Sequence, residues 1–345
     1  MGNSVNKDGK ENCSFTSAEI ASLWNQYLCD SLAICVYKYF LNNVVDKEVK
    51  AILEYALQLS QDHIAQITEF FKQDQFQIPM GFTEKDVNLN APRLFSDDFY
   101  VFYTTVMTAH GITAYSLSIA TTDRKDIRKY YFNCTENAYK LIDKGIQYTQ
   151  SKGIHSTPPS IPSPKSVNFV EKTGIITDLF GERRPLYAAE ISNLYFNTKH
   201  NALNQALYLA FSQVAQNEDV LNFMLFGVEK AGKDINSFVK ILEQEHLSTP
   251  KMWNDDITNS TVSPFSDKLM MFHMAFLTSA ALSFYGTGLA SSMRPDIIMT
   301  YNNIFENIHT GSRKIFSIMV KYGWLEKQPE AIDRKSLAQN HFKLK

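Results

Sequence analysis

The chain has 345 residues, of which 44% are hydrophobic and 20% charged, and its 34 basic residues nearly balance 36 acidic ones. This length suits two domains of ordinary size, each able to bury its own core. The net charge of -2 and the lack of a basic block argue against a nucleic-acid partner. No run of eighteen apolar residues occurs, so we predict no membrane span.

The N-terminal stretch MGNSVNKDGKENCSF has no apolar core and does not match a secretory signal. We expect residues 1–16 to form a disordered tail. The cysteines show no CxxC spacing, which fits small apolar side chains in a reducing compartment. They are Cys13, Cys29, Cys35 and Cys134. These features predict a cytoplasmic protein.

The chain repeats itself with a shift of 171 residues, which becomes 170 after one slip. AEIASLW at 18–24 matches AEISNLY at 189–195, and LFSDDF at 94–99 matches PFSDKL at 264–269. The second register continues to Gly153 and Gly323. A match this long with a single slip indicates a tandem duplication.

Apolar residues recur at helical spacing in four stretches of each copy. In the first copy the predicted helices cover 17–42, 46–73, 96–121 and 124–151. In the second copy they cover 187–213, 217–247, 266–292 and 295–321. Ser, Asp or Pro stands at several starts, and a glycine follows the last helix of each copy, as helix caps predict.

The connections within each copy are short, long and short. The long ones contain QIPMGFTEKDVNLNAPRLF and STPKMWNDDITNSTVSPF. A helix of about 25 residues is ~38 Å long, a distance that ~15 extended residues can span. This pattern predicts a ferritin-like bundle, in which one crossover returns the chain along the bundle.

The predicted fold is therefore all-α, with two tandem ferritin-like four-helix bundles. Bundle 1 covers 17–153 and bundle 2 covers 187–325. Between them, 154–186 form a Pro-rich linker, because HSTPPSIPSPK holds four of the eleven prolines and cannot be helical. Residues 326–345 are predicted to be a C-terminal tail.

Several strings also resemble a known family. They are FTEKDVNLNAPRLFSDDF, TPPSIPSPKSVNFV, FGERRPLYAAEI, DITNSTVSPFSDKLMMFH and GWLEKQPEAIDR. Together they resemble the bacterial family called domain of unknown function 3231 over about residues 17–338. The resemblance implies a duplicated, ferritin-like protein of spore-forming bacilli, loosely similar to spore coat protein F. It implies no catalytic residues, because the family has no established activity, and it makes a spore-associated location the alternative to the cytoplasm.

Bundle 1 presents four ligand-type residues at one predicted level, ~18 Å from one end. They are Asp30, His63, His110 and Glu136. The first three continue apolar stripes of their helices, and Glu136 lies beside one. Imidazole and carboxylate groups bind iron, manganese or zinc, so these residues are a candidate metal site. The alternative is a buried polar network in which the carboxylates satisfy the histidines.

The stretch ENIH in bundle 2 has the Glu-x-x-His spacing of di-iron carboxylate proteins. It makes Glu306 and His309 weaker metal candidates. The other such pair, Glu243 and His246, lies ~9 Å away along the bundle axis. In addition, the third helix has Ala280 where a central ligand is needed.

These observations favour a non-catalytic structural or interaction protein without a cofactor, which the family resemblance connects with sporulation. The alternative is a metal-binding protein or oxidoreductase with iron, manganese or zinc inside bundle 1. The expected partner is a second copy of the chain or a spore-associated protein.

Overall fold

The computed structural model describes residues 15–170 and 183–343, with side chains described up to residue 339. The predictions for residues 1–14 and for the middle of the linker, 171–182, lie outside these ranges. Within the described ranges the chain is all-α, and its only extended pairings are two isolated bridges between the bundles.

Each bundle contains four long helices. Bundle 1 has α1 (Ser17–Asn43), α2 (Lys47–Gln73), α3 (Asp97–Thr121) and α4 (Lys125–Ser151). Bundle 2 has α5 (Ala188–Val214), α6 (Glu218–Gln244), α7 (Asp267–Ala290) and α8 (Pro295–Lys321), and α9 (Arg334–Lys343) follows. The eight bundle helices begin and end within three residues of the predicted limits. Helix α6 differs most from its predicted range and ends before residue 247, because His246 adopts a φ of 56° that stops a helix.

Contacts at the helix ends fix the direction of each helix. Arg124, before α4, pairs with Asp74, after α2, so α4 starts where α2 ends. The backbone N–H of Asp46, before α2, donates to Asp97 of α3 at 2.7 Å, so these two helices start together. Since short connections reverse the chain, bundle 1 runs up, down, down and up. The long crossover between α2 and α3 is therefore where the sequence predicted it.

Residues at both ends of the described part of the chain have regular structure or packing contacts that the sequence analysis did not predict. Phe15 packs edge-on against Phe71 at 5.7 Å, and Thr16 caps α1. Residues of the predicted C-terminal tail form α9, whose first turn is capped by Asp333 accepting from the N–H of Ser336 at 3.0 Å. An aspartate directly before a short helical run was the available signal.

Helix α7 is the one described helix long and apolar enough to cross a membrane by length and composition. In this structure it packs between the bundles as a core helix. Its fully buried apolar side chains are Leu269, Met270, Met271, Met274 and Leu277.

The two crossovers, residues 74–96 and 245–266, hold the bundles together through reciprocal hydrogen bonds. The Ser96 hydroxyl donates to Asp256 at 2.6 Å, and the Ser266 hydroxyl donates to Asp86 at 2.7 Å. A shift of 170 residues converts the first contact into the second. The bundles are thus related by a local two-fold axis, as in an isologous dimer interface.

The backbone repeats this reciprocity. The N–H of Asn88 donates to the carbonyl of Pro264 at 2.8 Å, and the N–H of Thr258 donates to that of Leu94 at 2.9 Å. Aromatic rings continue the contact into the core, where Trp253 stacks on Phe102 at 4.3 Å. The bundles therefore share one core instead of being joined only by the linker.

Candidate functional site

Asp30 of α1 and His63 of α2 meet inside bundle 1. Their Oδ2 and Nδ1 atoms are 3.1 Å apart, and both residues are buried. Burial alone lowers the pKa of His63, but the Asp30 carboxylate and the nearby Cys134 thiol raise it to about 10. The rings of Tyr115 and Tyr130 pack edge-on against the imidazole. The pair is therefore an ion pair at neutral pH, in an aromatic setting.

His110 of α3 bonds to neither member of this pair and makes its contacts at the interface with bundle 2. Its Nε2 is 3.1 Å from Nδ1 of His200, whose Nε2 contacts the Asn204 amide at 3.0 Å. The ring of Phe284 packs against both imidazoles. Burial lowers the pKa of His200 to about 4, and burial together with His200 lowers the pKa of His110 well below its usual range. Both rings are neutral.

The remaining predicted ligands lie on the surface. Glu136 is exposed and pairs with Lys140 one turn away at 3.1 Å. Glu306 and His309 are exposed on α8. The structure therefore brings together Asp30 and His63 and no other pair of the predicted set. Within residues 15–170 and 183–343 no three His, Cys, Asp or Glu side chains are placed to hold a metal ion. Metal binding by these residues stays a prediction.

Cys134 occupies the place that the sequence analysis offered to Glu136. Two residues along a helix turn a side chain by roughly 200°, so only one of them can face the pair. Cys134 is 2% exposed, and it continues the apolar stripe of Ile127 and Tyr131. That stripe was visible in the sequence and was the signal for placing Cys134, not Glu136, inside.

A cleft of about 700 Å³ lies between α1 and α3 of bundle 1 and α7 of bundle 2. We call it the cleft below. Its volume is in the range of small-molecule sites, and its wall is mainly apolar. Small side chains from the three helices keep it open: Ala21, Ala33, Gly111, Ala114 and Ala275.

The inner wall of the cleft contains the polar residues of bundle 1. Asp30 and His63 line it, as does Gln26, which is 8% exposed. Neither amide atom of Gln26 has a hydrogen-bond partner among the described residues. The hydroxyl of Tyr131, which also lines the cleft, has none either. The cleft thus combines apolar walls with polar groups that the protein itself leaves unsatisfied.

Residues 324–328, which follow α8, form the fourth side; we call them the strap. The Glu326 carboxylate accepts from the N–H groups of Met80 at 3.0 Å and Gly81 at 2.7 Å. The Gln328 amide donates to Asn25 of α1 at 2.9 Å. The sequence prediction assigned no role to this segment, because its partners lie about 250 residues earlier in the chain.

The duplication creates an equivalent space in bundle 2, and aromatic rings fill it. Larger side chains there include Phe196 for Asn25, His200 for Cys29, Phe284 for Ala114 and Asn204 for Ala33. The rings of Phe196 and Phe284 meet at 4.8 Å, and those of His200 and Phe284 at 5.7 Å. These aromatic side chains therefore contribute to the difference between the open cleft and its filled counterpart.

The polar centre of bundle 2 also differs. Asn201 replaces Asp30 and donates to the Tyr285 hydroxyl, and Asp234 replaces His63. Burial raises the pKa of Asp234 to about 7, with Lys230 opposing the shift. Bundle 2 therefore holds an amide and a half-protonated carboxyl where bundle 1 holds an ion pair.

Comparison with known proteins gives a family and a structural likeness. The model of the family described as "Protein of unknown function (DUF3231)" matches residues 4–167 and again 174–337. No curated protein matches the chain. A crystal structure of a candidate spore coat protein from Bacillus halodurans is 20% identical, covers 44% of this chain and 98% of its own, and has a TM-score of 0.40. The double family match confirms both the resemblance and the duplication.

Proposed function

The chain belongs to the DUF3231 family, a family of unknown function, and from that premise we propose that it is a non-catalytic interaction protein that binds an apolar small molecule in the cleft. The single observation that carries this proposal is the open cleft itself. Its counterpart in bundle 2 is filled by Phe196, His200 and Phe284.

Packing energetics support the proposal. Protein interiors are close-packed, and unfilled apolar space forfeits dispersion contacts along its whole wall. In bundle 2 the same backbone accepts aromatic rings at the positions equivalent to Asn25 and Ala114. If stability were the only requirement on the fold, filling this space would increase the free energy of unfolding. Small side chains at these positions of bundle 1 are what a bound molecule requires.

The ionisable groups of the cleft support a role without catalysis. A general base works best when its pKa lies near the operating pH. The pKa of His63, about 10, keeps the imidazole protonated at neutral pH, and the Asp30 carboxylate is engaged with it. The imidazole is therefore not available to accept a proton from a bound molecule.

We place this function in the cytoplasm, and the family resemblance makes association with the spore the alternative. A metal-binding protein or oxidoreductase using iron, manganese or zinc remains the alternative function. It would have to use Asp30 and His63 with ligands from outside the predicted set.

The test is titration of the full chain with N-phenyl-1-naphthylamine, an uncharged probe that fluoresces in apolar surroundings. We expect saturable binding of one probe per chain. The double variant Asn25→Phe, Ala114→Phe copies bundle 2 and should weaken binding at least about tenfold.

The matched control is Asn236→Phe, which adds the same ring at an exposed position of α6 away from the cleft. It should leave the affinity unchanged. A probe that binds the double variant as tightly as the natural chain would contradict the proposal.

A further inference from the structure

The cleft is long. On α1 its lining residues extend from Ala18 to Tyr37, and on α3 from Met107 to Thr121. At 1.5 Å per residue these spans are roughly 28 Å and 21 Å. A cleft of this length suits one extended hydrocarbon chain better than a compact ring system.

We propose that the ligand is an uncharged molecule with a single long hydrocarbon chain and a head group that both donates and accepts hydrogen bonds, such as a long-chain alcohol or primary amide. This inference rests on the proposed function and adds the chemical class of the ligand. The body of the ligand lies along the alanine faces of α1, α3 and α7, and its head lies beside Gln26.

The charges nearest Gln26 disfavour a charged head because they already balance each other. Asp30, one helical turn from Gln26, and His63 form an ion pair at the inner wall. Lys268 and Glu326 also line the cleft, and both are held by backbone groups of Gly81, the lysine by its carbonyl at 3.0 Å and the carboxylate by its N–H at 2.7 Å. A carboxylate or ammonium head beside Gln26 would therefore be buried without a counter-ion, which is strongly unfavourable.

The position of the head follows from comparison with bundle 2. There Asn197, the counterpart of Gln26, donates to the hydroxyl of Tyr301 at 3.0 Å. In bundle 1 both members of the equivalent pair, Gln26 and Tyr131, lack partners. Buried polar groups are normally satisfied, and a buried amide needs both a donor and an acceptor opposite it. A hydroxyl or primary amide offers both.

The test compares head groups on one hydrocarbon chain. Dodecan-1-ol, dodecanoate and dodecylammonium are each used at pH 7 to displace N-phenyl-1-naphthylamine from the full chain. We expect the alcohol to displace the probe at a concentration at least about tenfold lower than either ion. Displacement by an ion at an equal or lower concentration would overturn the uncharged class, while leaving the cleft as a binding site.

The variant Gln26→Leu separates the head group from the hydrocarbon chain. Relative to the affinity for the probe, measured on the same variant, the affinity for dodecan-1-ol should fall about tenfold. An unchanged value for the alcohol would overturn the role of Gln26. If the natural chain binds no probe at all, the proposed function fails as well, so the two failures are distinguishable.

Discussion

Bundle 1 and bundle 2 have the same helices and the same crossovers, yet their interiors follow different chemistry. At one level bundle 1 buries the ion pair of Asp30 and His63, whereas bundle 2 buries Asn201 and the raised-pKa carboxyl of Asp234. The shared apolar pattern specifies the helices and their packing. Single positions on these helices then determine whether the interior of a bundle carries charge. The fold accepts different polar side chains there when each one has a hydrogen-bond partner.

The same comparison applies to the surfaces between the bundles. Side chains no larger than Asn25 leave the cleft open on one side of the local two-fold axis, and rings such as Phe284 close it on the other. A change of side chains at a few positions thus separates an open cleft from a filled core. The variants below test these differences between the bundles.

The largest effect is expected for His63→Ala. It leaves the Asp30 carboxylate buried without its partner, so the free energy of unfolding should fall by about 3–5 kcal/mol. The measurement is urea denaturation at pH 7. The double variant Asp30→Asn, His63→Asp copies bundle 2 and should cost less than His63→Ala alone, because an amide can bond Tyr115 as Asn201 bonds Tyr285. If the two variants are equally unstable, the bundles do not share a common polar frame.

Asp234→Asn should stabilise bundle 2 in a pH-dependent way. The pKa of Asp234 is about 7 in the folded chain against 3.8 as a free group, so the folded state keeps a proton that the unfolded state loses. Stability therefore falls as pH rises from about 4 to 7, and the variant removes this fall.

The expected gain for Asp234→Asn is about 2–4 kcal/mol at pH 8 and close to none at pH 4. Urea denaturation at the two pH values measures it. In bundle 1 the raised pKa of His63 makes stability depend on pH in a higher range. The stabilisation that it contributes is complete below pH 6.5 and is lost as the pH rises towards 10. Hydrogen exchange resolved by bundle distinguishes the two windows. An equal gain for Asp234→Asn at both pH values would contradict a buried, titrating carboxyl.

Phe284→Ala should open the filled space in bundle 2. Truncating a partly buried ring should cost about 2 kcal/mol of stability. If the aromatic rings alone account for the difference between the cleft and its filled counterpart, the variant should bind a second molecule of N-phenyl-1-naphthylamine. The titration would then give two bound probes per chain instead of one. Stability lost without a second site would mean that other residues also separate the two sides.

Glu326→Ala should free the strap at a cost of about 1 kcal/mol, because two backbone N–H groups lose a charged acceptor at the surface. The dissociation rate of the bound probe should rise severalfold in stopped-flow measurements. Ser156→Ala is the matched control, since the Ser156 hydroxyl accepts from the N–H of Lys251 at the equivalent place beside bundle 2. If the probe dissociates from both variants at the same rate, the strap does not retain molecules in the cleft.

The smallest expected signal is metal content. Protein made with iron, manganese and zinc supplied should contain less than about a tenth of an equivalent by mass spectrometry, since two adjacent ligands hold a metal weakly. About one equivalent, lost in the double variant His63→Ala, His110→Ala, would instead support the metal-binding alternative.

The sequence predicted the bundles because helical periodicity and connection lengths are local signals. It also predicted that Asp30 and His63 lie at one level, since each continues the apolar stripe of its own helix. It could not place His110, whose partner His200 belongs to the other bundle. The cleft was equally out of reach, because α1 and α3 meet α7 and the strap only through contacts between residues far apart in the chain.

The reciprocal contacts of the crossovers, Ser96 with Asp256 and Ser266 with Asp86, have a genetic consequence. Two separate but identical subunits must change together, because one gene encodes both sides of their axis. A chain that carries both subunits is released from that constraint, and its association no longer depends on protein concentration. One half can then keep a vacant groove while the other fills its own, an asymmetry that a dimer of identical chains cannot encode.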